Sequence, residues 1–202
     1  MMRPALIGFL SALLLTSAVL AVAQPAPVDL GAQRTAAEAG DSAAQFDLGN
    51  RYLAGDGVIA DEFEAARWFH LAADQGNNNA QYNLGVMYMQ GTGVIADINE
   101  AISWFRRAAD RGDPPAQFTM GTLYANGRGV QQDPVQAHLW FTLAASGGHR
   151  AAAANLVLYQ EMMSDQQIGE SQRLAAEWVE NFNAQFGSSD SNASDDTSAR
   201  AP

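Results

Sequence analysis

One pentapeptide occurs twice in the chain, and its slot is filled three times at a constant spacing. The letters GVIAD stand at Gly57–Asp61 and again at Gly93–Asp97, and GVQQD stands at Gly129–Asp133. Both steps are 36 residues long, and the surrounding windows align without a gap. A fixed period of about 20–50 residues is typical of stacked repeats, because one unit is too small to bury its own apolar face. The chain is therefore predicted to form an elongated array.

Each repeat begins with the pattern of an amphipathic helix, here called helix A. Its apolar stripe recurs every four positions, as in Ala80, Leu84 and Tyr88 of the second copy. An Asp or Asn precedes the stripe in every copy and suits the N-cap, because its side chain can accept a hydrogen bond from a free amide. These N-cap candidates are Asp41, Asn77 and Asp113. A GxG pair follows each stripe and predicts the end of the helix and a tight reversal.

A second helix, helix B, follows each reversal. It opens on Asp61, Asp97 or Asp133, and a Glu or Gln stands three positions later, so a reciprocal capping box is expected in each copy. Its apolar residues fall at i, i+3, i+4, i+7 and i+8, and they include a Trp-Phe pair expected to fill the space between repeats. The valine of each GVxxD segment is expected to anchor the loop. A glycine inside each helix A, such as Gly85, marks the expected crossing of helix B.

The repeats are flanked by segments of different character. Residues 24–186 are predicted to form one all-α domain, with a half-repeat cap at 29–40, repeats at 41–76, 77–112 and 113–148, and capping helices at 149–186. In the last of these the GxG loop is absent, and Ser164 with Gln167 opens a longer helix that is expected to close the stack. Residues 187–202 are polar and acidic, and a disordered tail is expected there.

The N-terminal segment predicts export. Arg3 is followed by an apolar run from Ala5 to Val22, and the run ends in the small-x-small pattern Ala21-Val22-Ala23 of secretory cleavage sites. Residues 1–23 are therefore interpreted as a signal peptide cleaved after Ala23, which places the mature protein in the periplasm or outside the cell. The run is close to the roughly 18–20 residues that span a bilayer. An uncleaved N-terminal anchor is the alternative.

Composition narrows the classes of function. The chain has no cysteine and no lysine, which excludes disulfides, thiol chemistry and every mechanism that needs a lysine amine. The 11 basic residues become ten once Arg3 leaves with the signal peptide, against 22 acidic residues, which gives a net charge of −12. That charge opposes binding to nucleic acid or to an anionic membrane surface. No membrane insertion is expected after cleavage of the signal peptide.

No catalytic or metal site is predicted. His70, His138 and His149 fall at different positions of the repeat and lack metal-ligand spacing. The chain contains neither a G-x-S-x-G elbow nor an S-x-x-K motif. The repeated acids are explained as helix caps, and the GxG pairs lack the further residues of a phosphate loop. We therefore expect no cofactor, no metal and no enzymatic activity.

Together the repeated residues resemble a known family. The pattern A-x-x-x-[LM]-G-x-x-Y-x-x-G-x-G-V-x-x-D-x-x-x-A-x-x-W-F-x-x-A-A-x-x-G is similar to the Sel1-like repeat, a relative of the tetratricopeptide repeat, over roughly residues 29–186. The resemblance implies a right-handed α-solenoid of antiparallel helix pairs that acts as a scaffold for protein–protein contacts, often in the bacterial envelope. Some members are cysteine-rich and are linked to β-lactam binding or hydrolysis, and this chain lacks those cysteines.

The resemblance also implies a binding groove. In tetratricopeptide relatives the concave face is lined by helix A positions that here correspond to Phe46, Asn50, Tyr82, Val86, Met89, Gln90, Phe118, Thr122 and Asn126. An aromatic ladder of Phe46, Tyr82 and Phe118 would line this groove. The side-chain amides of Asn50, Gln90 and Asn126 would form hydrogen bonds with a bound peptide backbone. Burial in the core is the alternative role of the three aromatic residues.

The expected function is binding. These inferences predict an exported, non-enzymatic scaffold that binds another envelope protein, or an extended segment of one, along the concave helix A face. One alternative is a cell-wall or β-lactam-related hydrolase or binding protein. Another is a purely structural envelope spacer with no saturable partner. The sequence leaves the partner and the oligomeric state open.

Overall fold

The computed structural model describes residues 30–187, and this part of the chain is built from α-helices without a β-strand. The helices are α1 (Leu30–Glu38), α2 (Ser42–Ala54), α3 (Glu62–Asp74), α4 (Asn78–Gln90), α5 (Ile98–Asp110), α6 (Pro114–Asn126), α7 (Pro134–Ser146), α8 (Arg150–Met162) and α9 (Asp165–Phe186). The expected all-α solenoid is confirmed. The predicted signal peptide lies outside the described residues, as does the predicted tail after Gly187.

The helices follow the predicted alternation. The pairs α2–α3, α4–α5 and α6–α7 are the helices A and B of the three repeats, and each of these helices has 13 residues. From α1 to α8, each helix packs against the next one along the chain. The half repeat α1 therefore covers the first pair, and α8 is a fourth helix A. Among the described helices, none has the length and apolar character needed to cross a membrane.

The N-caps of helix A are confirmed. Asp41, Asn77 and Asp113 accept hydrogen bonds from the backbone N–H groups three residues later, at 2.8, 3.0 and 2.9 Å. His149 fills the same slot at the start of α8, where its Nδ1 accepts a hydrogen bond from the N–H of Ala152 at 3.3 Å. Sequence reasoning overlooked this role because histidine is not among the usual capping residues.

The capping boxes expected at helix B are wrong, and only their first half forms. Asp61 Oδ1 accepts hydrogen bonds from the N–H groups of Phe63 and Glu64, at 3.0 and 3.1 Å. The N–H of Asp61 itself already donates to the carbonyl of Tyr52 at 2.9 Å, so the amide that Glu64 would serve is occupied. The Glu64 carboxylate instead forms an ion pair with Arg67. The complete capping box of the described chain, Ser164 with Gln167, stands at α9.

Helix B crosses helix A on its internal glycine, as predicted. A Cβ on Gly85 would lie 2.6 Å from the ring of Phe105, and Gly49 and Gly121 face Phe69 and Phe141 in the same way. Real Cβ atoms do not approach a carbon atom so closely, so the glycine is needed for the close contact.

The Trp-Phe pair of helix B serves two successive interfaces. In α3, Trp68 packs with Ala37 and Leu48 of the preceding helices, whereas Phe69 lies in a cluster with Leu84 and Trp104 of the following repeat. Each boundary between repeats therefore receives a phenylalanine from one repeat and a tryptophan from the next. This arrangement confirms that the pair fills the space between repeats.

A buried glutamine also joins helix A to the helix B before it. Gln45, Gln81 and Gln117 are buried, and their Nε2 atoms donate to the carbonyls of Ala37, Ala73 and Ala109 at 3.0, 3.0 and 3.1 Å. Sequence reasoning missed this bridge, although Ala-Gln recurs in all three copies. A polar residue inside an apolar stripe was the available signal.

The long helix α9, which was expected to close the stack, packs along α7. Ala175 and Trp178 join the apolar cluster that contains Phe105 and Trp140, and a Cβ on Gly112 would lie 3.2 Å from the ring of Phe182. Thus α9 returns along the helix B side as far as the end of α5. On α8, three apolar side chains are exposed, those of Val157, Leu158 and Met162.

Candidate peptide-binding groove

The nine predicted groove residues all lie on helices A. Phe46 and Asn50 are on α2; Tyr82, Val86, Met89 and Gln90 are on α4; Phe118, Thr122 and Asn126 are on α6. Gln90 and Asn126 are exposed, and the other seven are half-buried. Each of the nine therefore retains some contact with solvent, as residues lining a groove must.

The three aromatic residues of the predicted ladder each pack on a helix B phenylalanine. The ring centroids of Phe46 and Phe69 lie 5.7 Å apart, those of Tyr82 and Phe105 5.5 Å apart, and those of Phe118 and Phe141 5.7 Å apart. Rings at such distances attract each other and add to the stability of the core. One side of each ring therefore joins the core, while the rest stays accessible to solvent.

Four of the nine residues converge on one pocket between α4 and α6. The pocket has a volume of about 190 Å³ and is lined by Met89, Phe118, Thr119, Thr122, Leu123, Asn126 and Arg128. Met89, Phe118, Thr122 and Asn126 were predicted, whereas Thr119, Leu123 and Arg128 were missed. Arg128 stands between the two glycines of the third GxG, where the other copies have Asp56 and Thr92. Variation in charge at this slot was the signal that could have identified it.

The threonine and asparagine oxygens of this pocket are available as hydrogen-bond acceptors. The hydroxyl groups of Thr119 and Thr122 donate to backbone carbonyls of their own helix at 2.9 and 3.0 Å, and Asn126 Nδ2 donates to the carbonyl of Thr122 at 3.0 Å. Their oxygen atoms remain able to accept hydrogen bonds. Arg128 is exposed and forms no ion pair with another described residue. The pocket therefore combines an apolar floor, acceptor oxygens and a guanidinium that has no ion-pair partner within residues 30–187.

A second hollow lies beside α1 and α2. It has a volume of about 410 Å³ and is lined by Gln33, Asp47, Asn50, Arg51, Ala54 and Asp56. Its guanidinium is not free, because Arg51 forms an ion pair with Asp56 at 2.9 Å. Asn50 is the predicted groove residue found here, and its Oδ1 accepts a hydrogen bond from Asn83 at 3.4 Å. Phe46, Tyr82, Val86 and Gln90 line neither of these two cavities.

Each histidine has a structural contact. His138 Nδ1 lies 2.8 Å from Ser171 Oγ, and burial lowers the pKa of His138. Both side chains are buried between α7 and α9, so this pair has no surface at which a substrate would meet the serine. His70 lies 3.1 Å from the Tyr88 hydroxyl, and its pKa is lowered by burial against the opposing charges of Asp74 and Glu100. The His149 ring stacks on Phe118 with centroids 4.3 Å apart.

Carboxyl groups with shifted pKa values are also explained by structure. Burial raises the pKa of Asp113, while the Ala116 N–H and the nearby His149 act in the opposite direction. Burial likewise raises the pKa of Asp110, which is opposed by Arg106 and by a hydrogen bond with Trp178. One residue is a helix cap and the other contacts α9. Within residues 30–187, no group of three or more His, Cys, Asp or Glu side chains is arranged to hold a metal ion.

The repeats match a known family across more than half of the chain. The family model of the Sel1 repeat matches residues 42–77, 78–113 and 114–149, each one residue later than the predicted bounds. The chain belongs to the Sel1 repeat family. Sel1 repeats are generally scaffolds for protein–protein interaction and are typically non-catalytic, which confirms the broad class of function.

Solved structures agree with this assignment. The chain is similar to the crystal structure of a Sel1 repeat protein from Oxalobacter formigenes, with 43% identity and a TM-score of 0.60, over 63% of this chain and 96% of that one. It is also similar to a protective antigen with an SLR fold from uropathogenic Escherichia coli strains, with 32% identity and a TM-score of 0.67. That match covers 76% of this chain and 33% of the antigen. A comparison with curated protein sequences gave no match.

Proposed function

We propose that this Sel1 repeat protein is an exported, non-catalytic scaffold that binds an extended segment of another envelope protein along its helix A face. The observation that carries the binding site is the pocket between α4 and α6, where Met89, Phe118, Thr122 and Asn126 meet. A hollow with an apolar floor and a few convergent polar groups is the usual form of a recognition site.

The polarity of the pocket specifies the kind of segment it would bind. Backbone N–H groups of an extended peptide would donate to the oxygens of Thr122 and Asn126, while an apolar side chain would cover Met89 and Phe118. A carboxylate of the ligand would pair with Arg128, since the guanidinium has no ion-pair partner among the described residues. The preferred ligand is thus an extended segment with an apolar residue next to an acidic one.

Site-specific photo-crosslinking in the native host tests the binding face. The probe replaces Asn126, which is exposed at the pocket, and the matched control replaces Ser103, which is exposed on helix B of the second repeat. We expect a discrete adduct from position 126 and none from position 103. An adduct from position 103 alone would move the binding surface to helix B. The absence of an adduct at both positions would favour the function of a structural spacer.

A charge reversal tests the ligand chemistry. Arg128→Glu should weaken binding of the crosslinked partner, once identified, by about tenfold, because it replaces an attraction with a repulsion. The fold should be unaffected, since Arg128 makes no ion pair with a described residue. Arg150→Glu, at the exposed start of α8, is the matched control and should leave the affinity unchanged. Equal losses in the two variants would indicate general electrostatic attraction and would contradict a site at the pocket.

Export is a separate part of the proposal and has a separate test. It is supported by Arg3, the apolar run from Ala5 to Val22 and the small residues that end this run. Mass spectrometry of the mature protein, isolated from the host, should show an N-terminus at Gln24. A chain that retains residues 1–23 and sediments with membranes would establish the N-terminal anchor instead.

A further inference from the structure

The loops between helix A and helix B expose apolar side chains in two of the three repeats. Ile59 and Ile95 occupy the same slot of the repeat and are each 90% exposed, and Phe63, in the first turn of α3, is 76% exposed. We call these three residues the loop edge. A single exposed apolar residue is ordinary on a protein surface, but a near-complete exposure repeated at one slot needs an explanation.

The three side chains belong to one continuous edge of the solenoid. The second loop lies directly on the first turn of α3, because a Cβ on Gly93 would overlap the carbonyl group of Glu62. Ile95 is two residues beyond Gly93, and Phe63 is bonded to Glu62. Ile59 lies in the loop that leads into the same turn. The second loop therefore lies next to the turn that carries Phe63, and Ile59 and Ile95 stand at equivalent places in the two successive loops.

The fold does not require isoleucine at this slot, as the third repeat shows. There the slot holds Gln131, which is also exposed. The loop is built in the same way in the second and third repeats, because the N–H groups of Asp97 and Asp133 donate to the carbonyls of Tyr88 and Tyr124 at 2.9 and 3.0 Å. The isoleucines thus add nothing to the loop that glutamine cannot replace. Their apolar surface is available for a partner.

The surroundings of the loop edge are acidic. Near Ile59 and Phe63, Arg51 pairs with Asp56 and Arg67 pairs with Glu64. The arginines that follow Ile95 lie on indole rings instead, Arg106 over Trp140 and Arg107 over Trp104. Three exposed acids, Glu62, Asp97 and Glu100, form no ion pair with another described residue. The edge therefore presents apolar side chains within an uncompensated negative field. A second copy of this acidic chain and an anionic membrane surface would both be repelled by that field.

We propose that the loop edge is a second docking surface, which shares no residue with the pocket between α4 and α6 and binds a basic, apolar polypeptide segment. Apolar side chains of the partner cover Ile59, Phe63 and Ile95, and its Arg or Lys residues pair with Glu62, Asp97 and Glu100. Attraction between the opposite charges speeds the encounter and selects the partner, while apolar burial provides most of the affinity.

The test uses the full chain and a short fluorescein-labelled peptide of alternating arginine and isoleucine, followed by fluorescence anisotropy. Ile59→Gln with Ile95→Gln, which copies the natural residue of the third repeat, should weaken binding by about tenfold or more. The melting temperature should not change, since both side chains are almost fully exposed. Gln131→Ile should strengthen binding by extending the edge. Gln172→Ala, at an exposed position of α9, is the control and should have no effect.

Two variant peptides separate the contribution of charge from that of apolar contact. A peptide with glutamate for arginine should not bind, and one with serine for isoleucine should bind at least about tenfold more weakly than the parent. Unchanged binding in the double glutamine variant, or equal binding of the serine peptide, would show non-specific attraction to an acidic chain and overturn the proposal. Self-association that the double variant abolishes would assign the edge to a second copy. Nuclear Overhauser effects between Ile59 methyl groups and residues 24–29 would assign it to the protein's own N-terminal segment.

Discussion

The second repeat and the C-terminal helix pair begin alike and end differently. Both start with a capped helix A, α4 and α8. In α4, Gly85 receives the ring of Phe105 and the turn that follows carries two glycines. In α8 the same slot holds Val157, no GxG follows, and the next helix packs on α7 instead. Helix-forming residues are thus not sufficient for a repeat. A repeat also needs a tight turn and a glycine in helix A, here called the glycine seat, against which an aromatic ring of helix B packs.

The largest difference in stability between the two regions is expected from removing the aromatic ring of Phe105. Phe105→Ala takes away a fully buried side chain that packs in the core, which should lower the free energy of unfolding by about 3–5 kcal/mol. Leu158→Ala, on α8, is the control. Leu158 is 57% exposed, so the change there should stay within about 0.5 kcal/mol. Urea denaturation followed by circular dichroism measures both values, and comparable losses would refute the contrast between the two regions.

The glycine seat gives the next largest effect. In Gly85→Ala the new Cβ would lie 2.6 Å from Phe105, whose ring is buried and held on all sides. Overpacking should cost more than the roughly 1 kcal/mol that alanine gains in helix propensity, so a net loss of about 1–2 kcal/mol is expected. Val157→Ala changes the corresponding slot of α8 and should have little effect. Thermal unfolding compares the two variants, and a more stable Gly85→Ala protein would show that the seat is not required.

The buried glutamine bridge should have a smaller effect, and the terminal pair offers a gain-of-function test. Gln117→Leu removes the hydrogen bond to the carbonyl of Ala109, with an expected loss of about 1 kcal/mol. Ala153 occupies the glutamine slot of α8, and the carbonyl of Ala145 accepts from Gly148 as that of Ala109 accepts from Gly112. Ala153→Gln should therefore stabilise the protein by up to about 1 kcal/mol. Chemical denaturation that shows a loss in both variants would mean that α8 does not reproduce the geometry of α6.

The smallest expected effect is a pH-dependent change in stability at the contact between α7 and α9, where His138 lies beside Ser171. Burial lowers the pKa of His138 below its value in the unfolded chain. At pH values around these two pKa values, the unfolded state therefore binds more protons than the folded state. The stability that neutral His138 contributes is therefore complete above its unfolded pKa, near 6.5, and is lost as the pH falls through the lower folded value. His138→Gln should reduce the acid sensitivity of the melting temperature between pH 7 and pH 5. Identical pH profiles for the variant and the parent would contradict this role.

The sequence predicted most of what repetition displays, with the helix B capping boxes and the glutamine bridge as exceptions, and it failed where repetition ends. The helix A caps, the GxG turns and the glycine seats appear three times, so their local role can be read from the periodicity. The position of α9 could not be read in this way, because its apolar residues have no counterpart in another copy. No feature of the neighbouring sequence indicates that Trp178 packs against the apolar cluster that contains Phe105. Contacts of this kind depend on tertiary structure.

The candidate groove shows the same limit at the level of single residues. Its helix A positions follow from the repeat register, but their division between two hollows depends on neighbouring side chains. Arg51 forms an ion pair with Asp56 in one hollow, whereas Arg128 in the other has no ion-pair partner in the part of the chain that the structure describes. The failed capping boxes have a similar cause, since the amide that Glu64 was expected to serve is occupied by Tyr52, a residue of the preceding helix.

The return of α9 along α7 has a consequence for the order in which the chain can assemble. From α1 to α8, the main contacts join helices that are adjacent in sequence, so each helix can pack soon after it emerges from the ribosome. Residues 165–186 emerge after these helices and reach back to α5 and α7, which are already in place by then. The last of the described helices, α9, thus fastens a stack that has already formed. In a chain released before α9 has packed, the repeats would be held only by contacts between helices that are adjacent in sequence.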